Sequence, residues 1–350
     1  MRRIFHQSLL DFSKAIFRAA GSSREEAEIV AAHLVEANLL GHDSHGVIRI
    51  SKYVEWARDG RVAINRHAVL AVDHNALVVV DGQFGYGQVI GKEAMEIAEA
   101  RAKVHGMAAV AIRNSGHLGR VGAWPEQLAE RGLTSIHFVN TSGFGILVAP
   151  FGGSDRRLSA NPIAAGVPNK GGHPIILDMA TSSIAEGKIQ IARNTGEKLP
   201  PNAVVDGRGR PTQDPNAFYA EPPGAILPFG GHKGSGLSFF CEILAGSLSG
   251  GLASNPRSPT AGQLVNNMLS IAFDPEGFVG AEAFAADVKR LVDWAKGSPP
   301  MTHGGKVRLP GDLEDEVRAE RMSAGIPVDD ATWKAITNTA ASLAVAIPTG

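Results

Sequence analysis

Ten residues, GHDSHGVIRI at positions 41 to 50, hold His42, Asp43, Ser44, His45 and Arg49. If a helix begins near His45, then His45, Arg49 and Tyr53 recur at four-residue intervals and share one face. An imidazole and a guanidinium then look into the same space. Arginine forks onto a carboxylate through two hydrogen bonds, and histidine has an unperturbed pKa near neutrality. A 2-oxo or 2-hydroxy acid requires that pairing, one group to hold its carboxylate and another to exchange a proton at the C2 oxygen. The plain alternative is a solvated helix face carrying incidental histidines, and Asp43 and Ser44 equally suit a helix N-cap.

Three further clusters stand at element ends. RNSGHLGRVGAW, residues 113 to 124, places Asn114, Ser115 and His117 where a strand gives way to a helix, a common location for ligand groups. LDMATSSIAEGK ends a strand at Asp178 and runs on through Thr181, Ser182 and Ser183, whose hydroxyls either cap a helix or hold a phosphate or ribose. LPFGGHKGSGLSFFCEIL sets His232 and Lys233 among four glycines ahead of an apolar helix. Close backbone amides, the helix dipole and the Lys233 charge favour an anion there over a purely structural hinge.

Other chemistries are missing. The glycine-lysine stretch lacks the spacing of a P-loop, no C-x-x-C or H-E-x-x-H occurs, and no metal is expected. KGSGL around Ser235 is not a G-x-S-x-G nucleophile elbow. Gly85, Gly87 and Gly91 follow the strand ALVVVDG and imitate a dinucleotide fingerprint. The second strand, MAAVAIR, ends in basic Arg113 where that fingerprint needs an acid for the ribose, so these glycines read as a tight strand-to-helix turn.

The elements that must position these groups alternate between helical and strand periodicity. Helices are expected at 7–20, 24–39 (opened by Ser22 with Glu25 in a capping box), after Gly46, and at 92–104, 120–131, 183–193, 236–249, 282–295, 312–323 and 329–344. Strands are expected at ALVVVDG, MAAVAIR, SIHFVN, IILDM and MLSIAF, with Gly- and Pro-rich connections at 141–174, 194–235 and 298–311. That is a mixed α/β chain of 350 residues, 44% apolar and 20% charged. With 34 basic against 35 acidic residues it has no field to gather nucleic acid or an anionic membrane. No apolar run approaches the roughly 20 residues of a membrane span, Asp11 and Lys14 interrupt any signal-like core, and lone Cys241 sits in apolar FFCEIL as an inert thiol. A cytoplasmic location is expected.

Taken in order, DSHGVIR, NSGHLGRVG, ANPIAAGVP with LDMATSSIAEGK, FGGHKGSGL, and LPGDLEDEVRAERMSAGIP resemble the type-2 malate/L-lactate dehydrogenase family across nearly the whole chain. GHDSHG, VAPFGG, ATSSIA, HKG and the GIP ending are most similar to its hydroxycarboxylate dehydrogenase branch, reductases of 2-oxo acids. The resemblance implies a non-Rossmann α/β fold with a mixed sheet and helical N- and C-terminal parts. It implies a catalytic and substrate part at 1–115, a cofactor part at 116–297, and C-terminal helices at 298–350 that pack back on the first part. It implies NAD or NADP as cofactor, a small 2-oxo or 2-hydroxy acid as substrate, and a homodimer.

By resemblance His45 is the proton donor or acceptor, Arg49 and Ser44 bind substrate, and His117 is a second catalytic histidine. His117, Leu118 and Gly119 also meet the cofactor, as do Asp178, Met179, Ala180, Thr181 and Ser182, with Asp178 able to orient His45. His232, Lys233, Asn266, Leu309, Pro310, Gly311 and Asp312 complete the cofactor set. Arg156, Arg157 and Arg193 are candidates for a 2′-phosphate. Cyclic-imine reductases and ureidoglycolate or malate dehydrogenases are alternatives within the family, and an anion-binding module without redox chemistry is the remote one. Asp312 replaces a usual Glu, Ser235 a frequent aromatic, and Gly116 a second histidine, which bears on side-chain preference.

Overall fold

The computed structural model describes residues 2–254 and 262–348. A short strand β1 (Arg2–Ile4) leads into α1 (His6–Ala19), whose Leu9, Phe12, Ile16 and Phe17 recur at helical spacing and are all buried. α2 (Arg24–Leu39) has the expected span, but its cap lies one residue later than the sequence signal suggests. Ser23, not Ser22, is the cap and accepts from the Glu26 N–H at 3.1 Å, while Ser22 donates to the Glu26 carboxylate at 2.7 Å.

After two single 3₁₀ turns, Asp43–His45 and Val47–Arg49, comes α3 (Ile50–Arg58). Then follow β2 (Val69–His74), β3 (Leu77–Asp81), α4 (Gly87–His105), β4 (Met107–Ser115), α5 (Ala123–Glu130) and β5 (Thr134–Gly143). β6 (Ile163–Val167), β7 (Ile175–Met179), α6 (Glu186–Thr195), β8 (Val204–Val205), β9 (Pro211–Thr212), α7 (Pro215–Phe218) and β10 (Ala225–Ile226) continue the chain. α8 (His232–Cys241) passes into a π-helical turn at Glu242–Ser247, and β11 (Leu264–Phe273), α9 (Ala281–Lys296), α10 (Asp312–Ala324), β12 (Ile326–Val328) and α11 (Asp330–Ser342) complete it.

The principal sheet has the order β2-β3-β4-β11-β5-β6-β7. Only β3 and β4 pair in parallel, joined by α4; the other pairs are antiparallel. A dinucleotide fold of the doubly wound kind needs a largely parallel sheet, so the glycine turn at Gly85–Gly91 is not a Rossmann site. Strands β2 and β6 were not expected; β6 lies inside a stretch whose glycines and prolines read as connection.

Two cores result. One joins α1, α2, α3 and α11 with the β1–β12 ribbon, around Phe17, Leu34, Ile50 and Ile336; the other fills the space between the sheet and α4 and α5, around Ile90, Met95, Ile112 and Trp124. The sheet crosses position 115, because β4 bonds to β11. The last helices lie against the first ones: Arg321 of α10 forks onto Asp43 at 2.6 and 3.0 Å, and Thr339 of α11 bonds Ser51 of α3.

Candidate active site

The His45 loop is held from behind by α2. Asn38 is buried there; its carboxamide oxygen accepts the Val47 N–H at 2.7 Å and its nitrogen donates to Asp43 at 2.6 Å. Gly46 presses so closely that a Cβ there would stand 2.1 Å from the Asn38 oxygen. The chain therefore makes two tight turns instead of the continuous helix expected from His45, and the α-helical stripe of His45, Arg49 and Tyr53 is corrected accordingly. The groups converge all the same, with Arg49 Nε donating to the Ser44 carbonyl at 2.7 Å and closing the loop.

His117 arrives from the opposite side, on the turn after β4. Asn266 of β11 fixes that turn by accepting the Leu118 N–H at 2.9 Å, while its nitrogen donates to Thr141 at 2.9 Å. The dismissed glycine motif completes the support. A Cβ on Gly87 would stand 2.4 Å from the His117 carbonyl oxygen, and one on Gly91 2.5 Å from the Trp124 ring, so only glycine lets the start of α4 press on the His117 turn.

The result is two nearly parallel imidazoles, His45 and His117, with centroids 5.5 Å apart and planes 16° apart. His45 Nδ1 meets Ser44 Oγ at 3.0 Å, and His117 Nδ1 meets the Tyr53 hydroxyl at 2.6 Å. Neither Nε2 has a protein partner among the described residues. Burial, reinforced by the Arg49 charge, pushes His45 down to about 3 and His117 well below its ordinary value. Both rings are neutral at pH 7, beside a guanidinium whose two Nη groups have no hydrogen-bond partner among the described residues.

The remaining predicted residues fall into two adjoining groups. Asp178 faces a cleft shared with His42, Arg120 and Gly311, and accepts the Gly122 N–H at 2.8 Å. His45 takes its Nδ1 partner from Ser44, so the expected orienting bond from Asp178 is not made. Pro310 accepts from the Ile176 N–H at 3.3 Å, and Asp312 binds the Leu309 N–H at 2.8 Å and Lys296 at 2.9 Å. Burial opposes the Asp312 charge, but those two partners outweigh it and hold its carboxyl below the usual range. Gly119 abuts His33, and Met179 and Ala180 carry the chain out of β7.

In the other group the Phe229 N–H donates to the Thr181 carbonyl at 3.0 Å, Ser182 bridges Pro228, and His232 and Lys233 open α8 just beyond. Helix α6 starts at Glu186, later than expected, so these hydroxyls do not cap it: Thr181 and Ser183 donate to the carbonyls of Ala160 and Ala203. Ser182 Oγ is buried without a partner, and Lys233 has no ion pair among the described residues. Helix α6 approaches the His45 loop, since a Cβ on Gly187 would lie 3.9 Å from Ser44 Cβ. Ser235 accepts the Phe151 N–H, and the Phe151 ring lies edge-on to His232, so an aromatic stands near that site from another segment. Arg156 is spent on the carbonyls of Gly224 and Phe218, and Arg157 on Asp155. Burial pushes the Cys241 thiol up to about 12, and among the described residues no cluster of three metal-ligating side chains occurs.

Asn38, Gln88 and Arg120 were not anticipated. Gln88 had a faint signal, since it sits in the GYGQ motif whose glycines mark a close backbone approach; buried Asn38 had none.

Comparison with known proteins bears on the fold and the family. A family model described as malate/L-lactate dehydrogenase matches residues 4–337. Hydroxycarboxylate dehydrogenase B of Escherichia coli (strain K12) is 42% identical over 338 residues, 95% of this chain and 92% of its own. L-lactate dehydrogenase of Cupriavidus necator is 36% identical, covering 98% of each chain. The solved structure of sulfolactate dehydrogenase from Methanocaldococcus jannaschii matches with a TM-score of 0.90 at 32% identity, covering 98% of both chains. Fold and similarity thus define an α/β protein of the hydroxy acid dehydrogenase type. The chain belongs to the malate/L-lactate dehydrogenase family.

Proposed function

We propose that the protein is an NAD(P)-dependent 2-hydroxy acid dehydrogenase working as a 2-oxo acid reductase. The observation that carries this is the stacked pair of neutral imidazoles beside Arg49, each with an Nε2 that has no partner among the described residues. Arg49 binds the substrate carboxylate through its Nη groups, with Nε already anchored to Ser44. His45 exchanges the proton at the C2 oxygen through Nε2 while Ser44 steadies its Nδ1.

The chain's donors fit a dinucleotide. The orphan hydroxyl of Ser182 and the unpaired Lys233 at the start of α8 suit a phosphate, and the Asp178 carboxylate in the cleft beside Gly311 suits ribose hydroxyls. When bound, the nicotinamide supplies or accepts the hydride at C2. We assign His117, Leu118, Gly119, Met179, Ala180, Thr181, His232, Asn266, Leu309, Pro310 and Asp312 to the same proposed cofactor site. Asn266 does so indirectly, through the Leu118 N–H.

His45 is held neutral chiefly by burial and secondly by Arg49, so a bound substrate carboxylate that offsets the Arg49 charge favours proton uptake by His45 in the reductive direction. His45→Ala should lower kcat by ~10²–10⁴. A variant within a few-fold of the parent would remove His45 from the role.

The working unit is proposed as a homodimer in the cytoplasm. Phe239, Phe240 and Ile243 along α8 and its π turn, and Leu291 and Trp294 on α9, leave apolar faces open that a second copy would cover. The single buried cysteine suits a reducing compartment. No described helix is long and apolar enough to cross a membrane.

A further inference from the structure

Behind the two imidazoles lies a buried pair that the reaction so far leaves unused. Tyr53 and Gln88 are each 1% exposed. The Tyr53 hydroxyl lies 2.6 Å from His117 Nδ1 and 3.0 Å from Gln88 Nε2. A second contact fixes the orientation of the carboxamide: Gln88 Nε2 lies 3.2 Å from the His117 carbonyl oxygen, which only accepts. Gln88 therefore donates to both, and the tyrosine oxygen receives one of its protons. The tyrosine proton then has a single acceptor among the described residues, His117 Nδ1. Were Nδ1 to carry a proton instead, the phenolic O–H would be buried with nothing to accept it, an arrangement that folded proteins avoid.

We infer that Tyr53 and Gln88 lock His117 in the Nε2–H tautomer, so that His117 acts as a neutral hydrogen-bond donor to the substrate's C2 oxygen while His45 alone exchanges the proton. The catalytic half rests on the proposed reaction; the tautomer does not. His117 Nε2 has no protein partner among the described residues, and its ring stacks on His45 at 5.5 Å, so one substrate oxygen lies within range of both rings. A donor held in place favours the negative charge that builds on that oxygen during reduction. His117 does not compete with His45 for the proton, because its one lone pair, on Nδ1, is already occupied by the tyrosine O–H. Burial keeps the His117 ring neutral and the Tyr53 proton on oxygen. Tyr53 and Gln88 act through His117 and are positioning residues.

Two measurements test this. The first is a two-bond ¹H–¹⁵N correlation spectrum of wild-type protein labelled at histidine nitrogen, with His117 assigned from the signals lost in His117→Gln. It should show an unprotonated Nδ1 and a protonated Nε2 without any substrate present. A protonated Nδ1 would overturn the inference whatever the activity. The second is Tyr53→Phe, which keeps the ring and removes the lock. Its His117 should relax to mixed tautomers, and kcat and kcat/KM for a 2-oxo acid should fall together by on the order of 10-fold, short of the ~10²–10³ expected when such a donor is lost outright. A merely structural tyrosine would leave kcat unchanged, and that result overturns the donor role. If no oxo acid is reduced at all, the spectrum still decides the tautomer, so failure of the reaction and failure of the lock are told apart. If the variant misfolds, the wild-type spectrum stands as the test.

Discussion

Arg49 does two jobs with one charge. In the proposed reaction it binds the substrate carboxylate, and it is the second cause, after burial, of the depressed His45 pKa. In the oxidative direction His45 must be neutral, so activity is present above its pKa and lost as pH falls through it. With that value down at about 3, the wild-type profile should show no acid limb from His45 between pH 5 and 8. Arg49→Gln removes the positive charge, raises the pKa, and should move the acid limb upward toward the ordinary 6.5. The same substitution should raise KM for the hydroxy acid roughly 10- to 100-fold, since charge-assisted hydrogen bonds are worth ~1.5–3 kcal/mol. A pH–rate profile of the variant checks both, and an unchanged limb with unchanged KM would take Arg49 out of the site.

At the scale of elements, the site depends on how tightly a few of them approach. Gly87→Ala places a methyl group 2.4 Å from the His117 carbonyl, a backbone atom that cannot swing aside. Overpacking of this kind costs typically ~1–3 kcal/mol, and here the strain falls on the turn that carries the second imidazole. Thermal unfolding and turnover should therefore both suffer, whereas Gly236→Ala in α8, which meets nothing within 4 Å, should leave the melting temperature unchanged or slightly higher. Loss of stability without loss of turnover in Gly87→Ala would separate α4 from the catalytic turn. Much of this was legible in advance. The strands around Val80, Ile112 and Val139 and the long helices announce themselves by periodicity, and His45, Arg49, His117 and Lys233 by chemistry at element ends. What escaped has physical reasons. β6 was hidden because ANPIAAGVP mixes glycine and proline into a strand; the His45 turns follow from Asn38, a contact across α2 that no local pattern reveals; and Gln88 reaches His117 from 29 residues away.

At the scale of the molecule, the sheet gathers what the chain keeps apart. β4 and β11 lie side by side, so Asn266 reaches the turn of His117, while α10 returns to lock Asp43 of the His45 loop through Arg321. The proposed homodimer would cover the apolar residues left open on α8 and α9. Sedimentation equilibrium should give about twice the 36.7 kDa chain mass, and a monomer at micromolar concentration would contradict the dimer. The central claim is the chemistry itself. The most direct measurement follows absorbance at 340 nm with purified protein, NADH and NADPH in parallel, and pyruvate, oxaloacetate, 2-oxoglutarate, phenylpyruvate, hydroxyphenylpyruvate and piperideine-2-carboxylate as substrates. Cofactor oxidation with at least one 2-oxo acid is expected, lost in His45→Ala, and the responding pair names both specificities. Turnover of the cyclic imine alone would move the substrate class, and silence across the panel with cofactor demonstrably bound would contradict the account.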